Sequence, residues 1–257
     1  MEKACYRDVL RYRKIRQVGT GAFGRCFLCE KPDGSLVVLK KTKYCEKALD
    51  EARLLSELKH TNIVRIYEAQ RSEHCLYIIL EFMEGGNMDV LIKARKEEPF
   101  EDSVILSYSK QLAEALKFIH SKHVIHRDVK PANILLDADH TTVKLSDFGI
   151  STRLVENEQA HGKIGTSSYM APEMLEGRDY DFKCDIWSFG CVLYELVERR
   201  RMFSGSLEVA IQNKICSGSY TLPVGSKFSP LIQMLLSNSV SARPTAEDLI
   251  QQLNQFS

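Results

Sequence analysis

Apolar positions alternate with polar ones through the first third of the chain, and then recur every three or four residues through most of the rest. Residues 12–18, 25–30, 36–40, 63–67 and 76–82 read as strands, and Lys31-Pro32-Asp33-Gly34 marks a turn between two of them. Within 48–59, Leu54, Leu55 and Leu58 recur at helical spacing. After Glu84-Gly85-Gly86 the pattern becomes helical. Asp102-Ser103 is positioned to cap a helix over 102–120, whose apolar face carries Ile105, Tyr108, Leu112, Leu116 and Ile119. The segment 185–197 is almost wholly apolar, so a helix there is buried on most sides. Further helices are predicted over 207–215, 230–236 and 245–253. A strand-rich beginning and a helical remainder predict an α+β protein of two lobes. The smaller, β-rich lobe with one helix covers 1–83, and the larger, mainly α-helical lobe covers 84–257. There is no internal repeat and no low-complexity linker.

Composition narrows the function. The 257 residues are 44% hydrophobic, enough for a substantial core. Net charge is +1, with no long run of one sign, which disfavours a nucleic-acid or membrane-surface role driven by bulk charge. The eight cysteines are scattered. Cys26 and Cys29 form a CxxC, but a strand would turn them to opposite faces, and no further zinc ligands are apparent nearby. Reduced thiols in a cytoplasmic or nuclear protein are the expectation. The polar N-terminal residues 1–9 show no signal peptide, and no apolar run approaches the roughly 20 residues of a membrane span.

Three groups of residues carry candidate chemistry. Gly19-Thr20-Gly21-Ala22-Phe23-Gly24 has the GxGxxG spacing, a weak signal that dinucleotide folds share. A dinucleotide fold wants a helix directly after the glycines. Arg25-Cys26-Phe27-Leu28-Cys29 instead favours a strand, hence a hairpin flap whose backbone N–H groups can approach phosphates. Lys40 lies on the same side of its strand as Val38, and can reach phosphates if a carboxylate holds it. Glu51 is the first candidate and Glu46 the second, while solvated surface charges are the commoner fate of such residues. The third group is His126-Arg127-Asp128-Val129-Lys130-Pro131-Ala132-Asn133, followed by Asp147-Phe148-Gly149. Taken singly, these polar residues read as turn formers or helix caps.

Together with Ala171-Pro172-Glu173, Asp185-Ile186-Trp187-Ser188 and Arg243-Pro244, these motifs resemble the eukaryotic protein kinase domain over essentially the whole chain. Lys130 and the segment Gly165-Thr166-Ser167-Ser168-Tyr169-Met170-Ala171-Pro172-Glu173 are similar to the serine/threonine class. Leu36-Val37-Val38-Leu39-Lys40, Asp147-Phe148-Gly149-Ile150-Ser151 and the segment from Lys183 to Leu196 resemble the NimA-related (Nek) family.

The resemblance implies a two-lobed kinase fold and transfer of the γ-phosphoryl group of ATP, with Mg2+ or Mn2+, to serine or threonine hydroxyls of protein substrates. It implies that Asp128 accepts the substrate proton, that Lys130 stabilises developing charge, and that Asn133 and Asp147 hold the metal. Lys40 with Glu51 would hold phosphates, and Thr166 would contact Asp128 and Lys130. Nucleotide contacts would come from Gly19, Thr20, Gly21, Ala22, Phe23 and Gly24, and from Cys26, Val38, Leu80, Glu81, Met83 and Leu135. Leu55, Ile66, His126 and Phe148 would stack as an apolar spine, Glu173 would pair with Arg243, and Asp185 would brace the catalytic loop.

Several departures accompany the resemblance. Val38 stands where alanine is usual and Cys26 where valine is usual. Gly162 occupies the usual activation-segment phosphorylation slot, whose phosphate Arg127 would help to bind. Glu156 and Glu158 lie nearby, but a carboxylate carries about half the charge of a phosphate. Only residues 41–50 separate Lys40 from Glu51, where relatives have more. Reduced dependence on phosphorylation is therefore expected. Asn87 and Ala132 at two substrate-groove positions, with Glu195 the only acid, predict no strong demand for arginine upstream of the target. Ile150 predicts a preference for threonine. A catalytically silent scaffold is the competing reading, and a small-molecule phosphotransferase is disfavoured. Cell-cycle, centrosome, microtubule or cilium roles follow from the Nek resemblance alone. Neither nucleic acid nor membrane is an expected partner.

Overall fold

The computed structural model describes residues 11–21, 24–154 and 159–256. The sequence expectations on Cys5, Ala22, Phe23, Glu156, Glu158 and the N-terminal segment lie outside them. The chain divides into two compact units, Met1–Glu84 and Gly85–Ser257.

The first unit is an antiparallel sheet of β1 (Arg13–Gly21), β2 (Gly24–Glu30), β3 (Leu36–Lys43), β4 (Ile66–Arg71) and β5 (Cys75–Glu81), in the order β1-β2-β3-β5-β4. The β2–β3 turn is closed by Gly34, which donates to Lys31 O at 2.9 Å with φ 82°. The Asp33 carboxylate accepts from Ser35 N and Oγ at 2.9 and 2.6 Å. Period-two alternation gives the sheet two apolar faces. Cys29, Val37, Leu39, Tyr77 and Ile79 cluster with Tyr12 on one. Leu76 and Ile78 meet Ala48 and Ala52 of helix α1 (Glu46–Glu57) on the other. Helix α1 begins almost directly after β3, so the expected short connection takes the form of a helix with few residues ahead of Glu51.

Strand β4 sits later than the predicted 63–67. Ile63 and Val64 are consecutive buried residues, and Ile63 N bonds back to His60 O at 3.2 Å across a turn, so Ile63 makes an isolated bridge and the continuous strand starts only at Ile66. The strand itself alternates half-buried and exposed residues, as a sheet edge does.

The second unit contains helices α2 (Met88–Ala94), α3 (Asp102–Ser121), α4 (Pro172–Leu175), α5 (Lys183–Glu198), α6 (Glu208–Cys216), α7 (Ser229–Leu235) and α8 (Ala246–Asn254). Two small sheets join them, β6 (Gly86–Asn87) with β8 (Ile134–Leu136) and β9 (Val143–Leu145), and β7 (Val124–Ile125) with β10 (Thr152–Arg153). Helix α5 is buried along nearly its whole length, and Gly190 lets it approach α7: a Cβ there would stand 2.9 Å from Leu235 Cβ. The α3 cap differs from expectation. Glu101 is the capping residue and makes no side-chain cap bond, while Asp102 already lies inside the first turn, where a negative charge suits the helix dipole. Helix α8 has a full capping box between Thr245 and Asp248. Helix α2, absent from the sequence expectation, starts where the Asn87 side chain accepts from Val90 N at 3.0 Å.

Among the described residues no cysteine forms a disulfide, no group of three or more ligating side chains could hold a metal, and no helix is long and apolar enough to cross a membrane.

Candidate active site

In the first unit, Lys40 Nζ donates to Glu51 Oε1 at 2.6 Å, with both side chains buried. Glu46, the other carboxylate considered, accepts from Tyr44 Oη at 3.3 Å. An ion pair this deep needs its geometry fixed on both sides. The β3 register opposite β5 supplies one side, and the stripe of Ala48, Ala52 and Leu55 that seats α1 supplies the other. The glycine segment is a hairpin: Gly19 pairs with Cys26, Thr20 with Arg25, and Gly21 with Gly24. Gly24 has φ 134°, and a Cβ there would lie 2.3 Å from Lys41 O, so only glycine fits. Val38 lies opposite Leu80, and Val37 opposite Glu81. Glu81 N donates to Arg65 O at 2.8 Å, and Met83 is buried.

In the second unit, the loop between β7 and β8 carries Asp128. Its Oδ1 accepts from Thr166 Oγ1 at 2.8 Å, and its Oδ2 accepts from Lys130 Nζ at 2.7 Å and Asn133 Nδ2 at 2.8 Å. Lys130 Nζ also donates to Thr166 Oγ1 at 2.6 Å, closing a triangle. Gly165 makes the approach of Thr166 possible, because its φ is 122° and a Cβ would stand 2.4 Å from Arg127 O. Asn133 Nδ2 also donates to Asp128 O at 2.9 Å, which fixes the amide so that its oxygen is the end left for a cation. Asn133 O accepts from Ser146 N and Oγ, both at 2.9 Å, tying the segment before Asp147 to that of Asn133. Asp147 itself is in the left-handed region, with φ 62°. Leu135 lies in β8 opposite Asn87 and Lys144.

The loop is held from beneath. Asp185, fully buried on α5, accepts from His126 N and Arg127 N at 2.9 Å each, and its Oδ2 lies 2.9 Å from His120 Nε2. Burial alone would raise the Asp185 pKa, but the His120 contact and these N–H donors hold it below the usual carboxylate value. His126 is buried edge-on against Phe148 at 4.8 Å, and its Nδ1 accepts from Asp128 N at 3.2 Å. Its Nε2 therefore bears the proton and donates to Ser146 O at 3.0 Å, while burial pushes its pKa down and keeps the ring neutral.

Sequence reasoning expected several of these contacts: Thr166 with Asp128 and Lys130, Asp185 with the loop, and Glu173 with Arg243, a bidentate pair at 2.6 and 2.7 Å. It missed the double role of Asn133 Nδ2, the Ser146 tie and the His120 contact, none of which leaves a local signal in the sequence. Glu195, the one acid expected at the substrate-groove positions, is not available as an open charge. It is buried, and both its oxygens accept from Tyr169 Oη, at 3.0 and 2.9 Å, with Arg201 Nε 3.7 Å away. Burial pushes its pKa up to about 7 despite the Tyr169 and Arg201 contacts.

A family model described as the protein kinase domain matches residues 12–253. The chain is a member of the protein kinase family. It is 36% identical to serine/threonine-protein kinase nekl-2 of Caenorhabditis elegans, over 94% of this chain and 72% of that protein. It is 36% identical to zebrafish Nek8, over 96% of this chain and 36% of that protein, and 35% identical to human Nek2, over 93% and 58%. It therefore belongs among the Nek-related serine/threonine kinases, while spanning only about a third of the zebrafish relative. The β-sheet unit and the helical unit are the two lobes of the kinase fold. Within that fold Arg127 is already engaged: its Nε donates to Ile150 O at 2.6 Å, and its Nη1 lies 3.4 Å from Tyr180 Oη.

Proposed function

We propose that this kinase domain is catalytically active and transfers the γ-phosphoryl group of ATP to serine or threonine hydroxyls of proteins. The observation that carries this reading is the bonded set of Asp128, Lys130, Asn133 and Thr166. Asp128 would orient the acceptor hydroxyl and take its proton as the oxygen attacks phosphorus and the bond to ADP breaks. Lys130 would neutralise charge on the transferred group. Lys40, held by Glu51, would bind phosphate oxygens.

The donor set fits magnesium. Asn133 and Asp147 offer oxygen ligands, the donor type magnesium takes when it shares its shell with substrate phosphates and water. Bound there, the ion would supply electrostatic stabilisation of the phosphates. Leu80, Glu81, Met83, Val38, Cys26 and Leu135 would form the adenine and ribose contacts, and residues 19–24 the phosphate flap, with 1–83 and 84–257 as the functional lobes.

The engaged Arg127 and the short run before Glu51 support activity that depends little on activation-segment phosphorylation. The engagement of Glu195 supports weak selection for upstream arginine. A cytoplasmic role in cell-cycle, centrosome, microtubule or cilium regulation is the biological setting that the Nek relationship favours.

The test uses radiolabelled ATP and a generic protein substrate with the parent and Asp128→Asn. Loss of a general base costs about 10²–10⁴-fold, so the variant should fall at least about 100-fold. Equal signal in both would expose a contaminant, and signal in neither would favour the scaffold reading. Phosphatase treatment should leave the parent active. A peptide array dominated by upstream arginine would refute the substrate preference.

A further inference from the structure

The sheet face opposite α1 bears a groove that shares only Thr20 and Gly24 with the residues of the kinase reading. It is lined by Lys14, Thr20, Gly24, Arg25, Phe27, Lys41, Thr42, Lys43, His74 and Cys75. Strand register explains the grouping. Arg25 stands opposite Lys41, Lys41 opposite Tyr77, and Lys43 opposite Cys75, so charges far apart in sequence fall on one face. Toward one end that face is apolar and covered by Tyr12. Toward the other, Lys14, Arg25, Lys41, Lys43 and His74 are all exposed. None of the first four is paired with a described carboxylate, whereas Lys14 Nζ sits 3.7 Å over the Phe27 ring and Lys41 Nζ 5.6 Å from that of Tyr77. His74 has an acid beside it, Glu73, at 3.7 Å. In a chain whose net charge is +1, this concentration of unpaired cations is a local departure from balance.

We infer that this groove docks an acidic, extended peptide segment of a partner protein, with carboxylates on Arg25, Lys41 and Lys43 and an apolar side chain against Phe27. Charge complementarity argues for acid. The half-buried ring and thiol in the floor argue for a peptide with an apolar residue, because a nucleic acid would find only Phe27 and the His74 imidazole to stack on.

The probe is a fluorescein-labelled peptide of ten glutamates interrupted by one central leucine, read by fluorescence anisotropy on the whole chain. Saturable binding is expected, weakening as salt rises, and the same peptide with glutamine for glutamate should not bind. Arg25→Glu/Lys41→Glu/Lys43→Glu should weaken binding at least tenfold with an unchanged circular dichroism melt. Because charge reversal could disturb the sheet, Lys41→Gln alone is the gentler arm, expected to cost two- to fourfold. The inference is overturned if the triple variant binds within twofold of the parent. It is equally overturned if Lys96→Glu/Lys122→Glu/Lys163→Glu, which lies outside the groove, gives the same loss. Competition by a twenty-nucleotide oligo-dT at equal or lower concentration would assign the groove to nucleic acid and sink the peptide reading.

Discussion

Replacing Asp185 with asparagine tests how the catalytic loop is held. The carboxylate uses different oxygens for its two backbone donors, Oδ1 for Arg127 N–H and Oδ2 for His126 N–H, and Oδ2 also meets His120. An asparagine has one acceptor oxygen, so one buried N–H must face an NH2 group. A buried donor left unsatisfied costs about 1–3 kcal/mol, and the remaining bonds lose the roughly twofold strength that a charged acceptor gives. Together the loss is on the order of 3 kcal/mol, a large part of the ~5–15 kcal/mol of a typical domain. Arg127 adds leverage, since its φ of 68° is a conformation that a non-glycine residue holds only when its surroundings enforce it.

The protein carries its own reporter, because its single tryptophan, Trp187, is fully buried two positions from Asp185. Urea unfolding followed by Trp187 fluorescence should show the midpoint falling by ~1–2 M, taking a urea slope of about 2 kcal/mol/M. The pH dependence has a definite sign. The folded-state pKa of Asp185 lies below its ordinary 3.8, so its stabilisation is present above that value and is lost as pH falls through the folded value. The gap between parent and variant should therefore be constant at neutral pH and shrink in acid. A midpoint shift worth less than about 1 kcal/mol at pH 7, or a gap that widens in acid, would refute this account.

Other perturbations separate chemistry from support. Lys40→Met leaves Glu51 buried and unpaired and should destabilise by about 3–5 kcal/mol while abolishing activity; Lys40→Met/Glu51→Leu should regain most of the stability and none of the activity, and coordinate recovery of both would refute the phosphate role. Thr166→Val removes the hydroxyl shared by Asp128 and Lys130, so kcat should fall about tenfold with KM little changed and Thr166→Ser should restore it; equal kinetics for Val and Ser would show the hydroxyl to be idle. Glu195, with its pKa raised to about 7 from 4.5, contributes stability that is complete below 4.5 and lost as pH rises to 7. Glu195→Gln should thus be neutral near pH 4.5 and stabilising by up to about 3 kcal/mol at pH 8, measured by urea midpoints at the two pH values; destabilisation at pH 8 would show that the Tyr169 and Arg201 contacts outweigh burial.

Local chemistry was the legible part. The spacing of Asp128, Lys130, Asn133 and Asp147 stands in the sequence because one short loop and the β8–β9 hairpin that follows it must carry them all. The sheet was legible because alternation survives in strands packed on both faces. Short elements were not: Met88–Ala94 is too brief to establish a period, and its start depends on a cap from Asn87. Ile63 and Val64 look like strand residues because burial and β-branching are shared by strands and by buried residues that follow a turn, and Ile63 forms only an isolated bridge. The engagement of Glu195 was not legible because nothing near it in sequence reveals Tyr169, 26 positions away.

The same distinction explains the site and the groove together. Asp128 bonds to neighbours in sequence, Lys130 and Asn133, and to Thr166, 38 positions away, while the two residues before it, His126 and Arg127, are held by Asp185, whose bonds span 59 and 58 positions. Arg25 and Lys41 are likewise made neighbours by strand register and not by sequence. Motif spacing can reveal reacting groups because the chain itself sets their separation. Spacing alone does not reveal what tertiary pairing assembles: the family resemblance supplied the Asp185 brace, but nothing supplied the pairing that turns a nearly neutral composition into a cationic groove. Charge reversal at Arg25, Lys41 and Lys43 bears on that assembled surface while leaving every side chain of the phosphoryl-transfer set in place, so loss of peptide binding with retained phosphorylation would show the two surfaces to be functionally separate.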